Sequence, residues 1–233
     1  MKLVPDSTRR FTSRPHYDPN ELDVECEALV SDFLRAKHGE AAFPISTDDL
    51  TILLEQKIED LDSMADLSDL GSDVEGVTYF FRRSKPRVRI SKSLWDRDVK
   101  EHRLRTTLTH ELGHVHFHGY LYQVDESMLS FLESRTDSEL RCLRSNMHGQ
   151  SKTDWMEWQA GYASGAMLMP LSRVKIAVAG FPIAENSSAL NVSERETAIV
   201  ETVSEGFRVS KDAARVRLSQ LGILSRPQAQ RLF

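Results

Sequence analysis

Residues 110–114 read His-Glu-Leu-Gly-His. On a helix, positions i and i+4 lie about 40° apart, so His110 and His114 project from one face, one turn apart. That spacing lets two imidazoles reach one tetrahedral zinc ion at ~2.0–2.1 Å. Glu111 sits about 100° round from His110, too displaced to be a third ligand but placed to touch a water at the metal. The chemistry this pattern points to is hydrolysis, with Zn2+ as Lewis acid and Glu111 as catalytic base. In a chain of this length the five-residue pattern arises by chance on the order of 1% of the time. The plain alternative is an ordinary pair of helix histidines.

A catalytic zinc needs a third protein ligand and an open position. Glu157 is the candidate, near the start of a helical stretch from Trp155 to Met169 that Pro170 stops. Gly161, Ser164, Gly165 and Leu168 share the Glu157 stripe. Two helix glycines cost about 2 kcal/mol. Small residues beside a carboxylate would let this helix press against the histidine helix and deliver Glu157 to the metal. The alternative makes Glu157 a first-turn acid favoured by the helix dipole, behind a cap at Thr153–Asp154. Gly113, inside the histidine motif, calls for the same explanation: another element must approach closely. His116 and His118 read as polar helix-end residues rather than as supports of the ligands. His148, Tyr120, Tyr122 and Tyr162 are possible donors to an oxyanion, and no sequence argument chooses among them.

These residues need elements to hold them. A helix from about Asp98 to His118 carries the histidines, with Leu104, Leu108, Leu112 and Val115 on its opposite side as a core face. Val77–Arg82 and Arg87–Ser91, with Ser84–Pro86 between them, read as a hairpin. Glu21–His38 has helical spacing and a C-cap at Gly39, and a second helix starts after Ser46–Thr47. Residues 1–20, with three prolines and few large apolar groups, read as a mobile arm. Glu59–Glu75 holds seven acidic residues and reads as a solvated loop and face. Glu126–Met147 reads as helix-like. The tail divides into Glu194–Phe207, a turn at Arg208–Ser210, and Lys211–Leu221.

Composition excludes more than it identifies. The 233 residues carry 30 Lys+Arg against 35 Asp+Glu, a formal charge of −5, and 40% hydrophobic residues. The longest apolar stretches fall far short of the ~20 residues a membrane helix needs. No secretory signal is visible, and two cysteines make no disulfide framework, which fits a reducing cytosol. The tail has seven basic and five acidic residues from Glu194 to Phe233, thin for a phosphate-reading surface, so direct DNA binding is not expected of it.

The combination of TLTHELGHVHFH with a downstream EWQAGYASGAMLMP resembles the ImmA/IrrE family of metallopeptidases. Its members typically have a strand pair, a helix bearing H-E-L-G-H, and a later E-x-x-A-N-x-F-A-x-x-L-L-M-P helix. The resemblance covers roughly Ser46 to Pro170, and more loosely FRVSKDAARVRLSQLGIL in the tail. It implies an α+β fold: a mainly helical zincin-like (gluzincin-like) domain with a small antiparallel sheet beside the histidine helix, and a C-terminal helical segment. The expected division is an arm over 1–20, the zincin-like domain over 21–175 with an insertion at 119–154, and a C-terminal helical subdomain over 190–233. The insertion, with its helix-like Glu126–Met147, is a candidate lid or partner surface.

The resemblance further implies zinc on His110, His114 and Glu157, with Glu111 as base, in a cytoplasmic endopeptidase. The expected substrate or partner is a helix-turn-helix repressor made from an adjacent gene. Gly161 stands where the family often has Asn or Asp, which leaves unfilled a side chain that would orient a ligand. The rival reading is a toxin-like or regulatory partner of such a repressor, with a zinc site that is not proteolytic.

Overall fold

The computed structural model describes residues 1–95, 100–122, 138–143, 154–181 and 192–224. Two short strands, β1 (Lys2–Pro5) and β2 (Ser13–His16), open the chain as an antiparallel hairpin. This corrects the reading of residues 1–20 as a mobile arm. Aromatic and polar contacts both hold the hairpin: Phe11 in its turn packs edge-on against Tyr122 and Trp155. Asp6 accepts the backbone N–H groups of Thr8 and Phe11 within the turn and the Trp155 indole N–H at 3.0 Å, and Arg10 pairs with Asp154 at 2.6 Å. Neither long-range contact is visible in local composition.

Helix α1 (Pro19–His38) follows, and Gly39 ends it in the left-handed conformation at φ 85°. That is the C-cap its position predicts. Helix α2 (Thr47–Glu55) starts at Ser46, whose hydroxyl accepts the Asp49 N–H. Strands β3 (Asp60–Ala65), β4 (Val74–Phe80), β5 (Arg87–Ser91) and β6 (Ser138–Leu143) form one sheet in the order β3-β5-β4-β6. The β4–β5 and β4–β6 pairs are antiparallel, and β3 joins β5 in parallel. The expected hairpin is therefore present. Two other segments differ from expectation. Part of the acidic run is edge strand β3, where Asp62 and nearby Asp66 pair with Arg89 and Lys92, a charged edge that resists further strand pairing. Within the segment read as helix-like, residues 138–143 are strand β6; the rest of Glu126–Met147 lies outside the described residues.

Helix α3 (Glu101–His118) lies against the sheet and packs on α4 (Trp155–Leu168). It is buried almost all round. Leu104, Leu108, Leu112 and Val115 belong to the main core, as the wheel predicts, but Thr107, His110, Glu111 and His114 are equally enclosed. Helix α5 (Leu171–Val178) follows Pro170, and the tail supplies α6 (Val192–Phe207) and α7 (Lys211–Gln220). Ile199, Val203, Phe207, Ala214 and Leu218 share the core of α1, α3 and α4. Arg217 is fully buried and donates to Asp23 of α1 at 2.6 Å and to the Met169 carbonyl at 3.1 Å. The architecture is α+β. No helix among the described residues is long and apolar enough to cross a membrane.

Candidate metal centre

The site is assembled where α3 and α4 touch. The Cβ that Gly113 lacks would lie 3.1 Å from the Ala160 Cα and 3.2 Å from its carbonyl oxygen. Glycine there lets the two backbones meet, the close approach its position predicts. Thr109 and Ser164 share a hydrogen bond of 2.7 Å across the same seam. The face of α4 turned to α3 thus runs through Ala160, Ala163 and Ser164. The glycines are not part of it. A Cβ at Gly161 would meet nothing within 4 Å, and Gly161, Gly165 and Leu168 instead line a cavity of about 240 Å³ shared with α7. That corrects the expectation that the glycine stripe presses on the histidine helix.

One turn N-terminal to Gly161, Glu157 reaches the two histidines. His110 Nε2 lies 3.0 Å from His114 Nε2 and 3.2 Å from Glu157 Oε2, and His114 Nε2 lies 3.5 Å from Glu157 Oε1. Three atoms bound to one tetrahedral ion at ~2.0–2.1 Å stand about 3.4 Å apart. The three side chains already hold nearly that spacing, so the donor set fits a zinc ion. His110 and His114 are fully buried and Glu157 is nearly so.

The electrostatics favour a cation at this point. Burial opposes a charged His110 ring, but the hydrogen bond and charge of Glu157 outweigh it and raise its pKa. Burial likewise opposes a charged Glu157, and the two histidines outweigh it, holding the carboxyl well below its usual range. Among the described residues, this is the group of His, Cys, Asp and Glu side chains arranged to hold a metal.

Glu111 stands beside them on α3, turned toward the sheet. Its Oε2 accepts the Thr78 hydroxyl of β4 at 2.6 Å, and its Oε1 has no hydrogen-bond partner among the described residues. Burial raises its pKa, with the nearby histidines and Thr78 acting the other way. A Cβ at Gly76 of β4 would fall 2.6 Å from Glu111 Oε1, so glycine is what leaves room for the carboxylate. Next to it, Glu75 is buried and ion-paired with Arg103.

Sequence reasoning missed several of these partners. Thr78 reads only as a strand residue and Gly76 falls just outside the expected strand, although a glycine beside a strand can mark close backbone approach. His118, read as a polar helix-end residue, is fully buried, and its Nδ1 lies 3.1 Å from His114 Nδ1. Its Nε2 meets Gln159 Oε1 at 3.0 Å. Burial, then the neighbouring His114, push the His118 pKa well down, which keeps the ring neutral. His116 does behave as a helix-end group, with Glu25 of α1 at 3.0 Å. Of the tyrosines weighed as oxyanion donors, Tyr162 donates to Asp23 at 3.1 Å, Tyr122 faces the Met156 sulfur at 3.8 Å, and Tyr120 is largely exposed. His148 lies outside the described residues.

No curated protein matches the chain. A family model does: Peptidase_M78, the IrrE N-terminal-like domain, over residues 72–219. The matched region starts at the sheet and takes in α3, α4, α6 and nearly all of α7, so the tail helices lie within it. With well over half of its length matched, the chain belongs to the IrrE N-terminal-like family of metallopeptidases.

Proposed function

We propose that this protein is a zinc-dependent endopeptidase, with zinc held by His110, His114 and Glu157 and with Glu111 as catalytic base. The observation that carries the reading is the convergence of three buried ligand atoms within 4.8 Å of one another, one residue away from a buried carboxylate. Bound zinc supplies a Lewis acid that lowers the pKa of a water to about 7 and polarises the substrate carbonyl. Glu111 does the proton work. Held at Oε2 by Thr78, it has Oε1 left to take the proton of the attacking water and to return it to the leaving amine. Burial raises its pKa, which favours holding the proton it takes up.

The substrate we propose is a cytoplasmic helix-turn-helix repressor or regulator made from an adjacent gene; the family resemblance of the motifs supports it. The rival is a toxin-like or regulatory partner that binds such a repressor without cutting it, with a zinc site that is not proteolytic. Metal content tests the site, and co-incubation separates the two readings. Metal analysis of the purified protein should find about one zinc per chain, lost in Glu157→Ala. Co-incubation with the adjacent-gene product should yield fragments. A stable, uncut complex would favour the rival.

A further inference from the structure

We propose that His118 and Gln159 are positioning residues that fix the tautomer of His114, and that the N-terminal hairpin anchors this chain of hydrogen bonds. The proposal rests on the reading of His114 as a metal ligand. Its direction follows from groups whose roles are not interchangeable. The Pro15 carbonyl can only accept, so the Gln159 amide nitrogen, 3.0 Å away, donates to it. That orients the amide and turns Gln159 Oε1 toward His118. Oε1 also can only accept, so the His118 proton sits on Nε2, 3.0 Å away. Fully enclosed between the neutral Gln159 amide and the His114 ring, His118 carries one N–H, and its Nδ1 is therefore a lone pair facing His114 Nδ1 at 3.1 Å. His114 must then carry its proton on Nδ1. Its Nε2, the atom beside His110 and Glu157, is left as a lone pair ready for a cation.

The opposite assignment fails at the metal: a proton on His114 Nε2 would point at the ion. Nothing comparable supports the other histidine, since His110 Nδ1 is buried with no hydrogen-bond partner among the described residues. The protein fixes one of its two imidazoles, and does so from the far end of the sequence. Pro15 lies in β2, and the hairpin is docked by Asp6 to Trp155 and by Arg10 to Asp154, both at the start of α4. The Trp155 ring also stands edge-on to His118, with centroids 5.4 Å apart at 88°. Gln159 and His118 are 1% and 0% exposed, so water does not compete for either link.

Nitrogen-15 NMR of the histidines in the metal-free, full-length protein tests the tautomer without requiring zinc or activity. His114 should be protonated on Nδ1, with Gln159→Leu and His118→Phe each giving a mixture of tautomers. A mixture, or an Nε2-protonated His114, in the wild type overturns the proposal. Zinc affinity measured by chelator competition supplies the second arm. His118→Phe and Gln159→Leu should weaken binding about 10- to 100-fold. His118→Asn, which places an oxygen acceptor where Nδ1 stands, should restore most of it. Equal affinity of His118→Phe and wild type overturns the proposal, as does failure of His118→Asn to rescue when thermal melts show it folded. Absence of zinc binding by the wild type would instead sink the metal reading, and the tautomer measurement would still decide this one.

Discussion

Gly76 of β4 lies directly against Glu111 of α3: a Cβ on the glycine would stand 2.6 Å from the carboxylate Oε1 and 2.8 Å from Thr107 Cγ2. No real side chain tolerates that approach, so strand and base must separate if the glycine is replaced. Gly76→Ala should leave zinc content unchanged, because the proposed ligands come from α3 and α4, and should lower the cleavage rate by about 10²-fold or more. Metal analysis beside a rate measurement checks both halves. Loss of zinc together with the rate would mean that Gly76 supports the whole site rather than the base.

Gly113 makes the complementary prediction. Alanine is the better helix former by about 1 kcal/mol, yet its Cβ would press on the Ala160 backbone at 3.1–3.2 Å. The backbone of α4 must then retreat and carry Glu157 with it. Gly113→Ala should therefore weaken zinc binding on the order of tenfold and lower the Tm despite its better propensity. A higher Tm with unchanged affinity would show that the seam has slack.

The buried pair Arg217–Asp23 ties the tail helix α7 to α1, and both side chains are almost completely enclosed. Arg217→Met leaves Asp23 charged and buried with the Tyr162 hydroxyl as its remaining partner among the described residues, which should cost about 3–5 kcal/mol in urea unfolding. Adding Asp23→Asn should recover part of that loss, since no charge is then stranded. A double variant no more stable than the single one would argue against this cause.

Acid stability should show the signature of Asp49. Burial pulls its pKa up, but hydrogen bonds from Lys37, Ser46 and His38 outweigh that and hold it at about 2, against an ordinary 3.8. Because the folded pKa is the lower one, the stabilisation is present above about pH 4 and is lost as pH falls toward 2. It is worth about 2 kcal/mol. Asp49→Asn should flatten that part of the stability–pH curve, measured by denaturant unfolding between pH 5 and pH 2 on the same scale.

The proposed metal ligands and base can be read from the sequence because their information is local. The i, i+4 histidines declare a shared helix face, and Gly113 declares a close neighbour without naming it. Glu157 reads as a carboxylate in the first turn of a helix, but of its stripe Ser164 meets α3 while Gly161 and Gly165 face a cavity, and Ala160 and Ala163 join Ser164 at the contact. What stayed hidden is what joins distant segments. Residues 2–16 have too little apolar content to announce a structure, and their hairpin is held through Asp6 and Arg10 to residues near 155. Strand β3 was masked by its own acidity, which serves a charged edge. His118 looked polar and terminal because its partners, His114 and Gln159, come from one turn before it and from another helix.

The most direct test of the central claim is Glu111→Gln. The amide keeps the size of the carboxylate and loses its basicity, while His110, His114 and Glu157 are untouched. The variant should retain about one zinc per chain and cut the proposed helix-turn-helix substrate some 10²- to 10⁴-fold more slowly than the wild type. Cleavage at the wild-type rate by zinc-loaded Glu111→Gln would contradict the account.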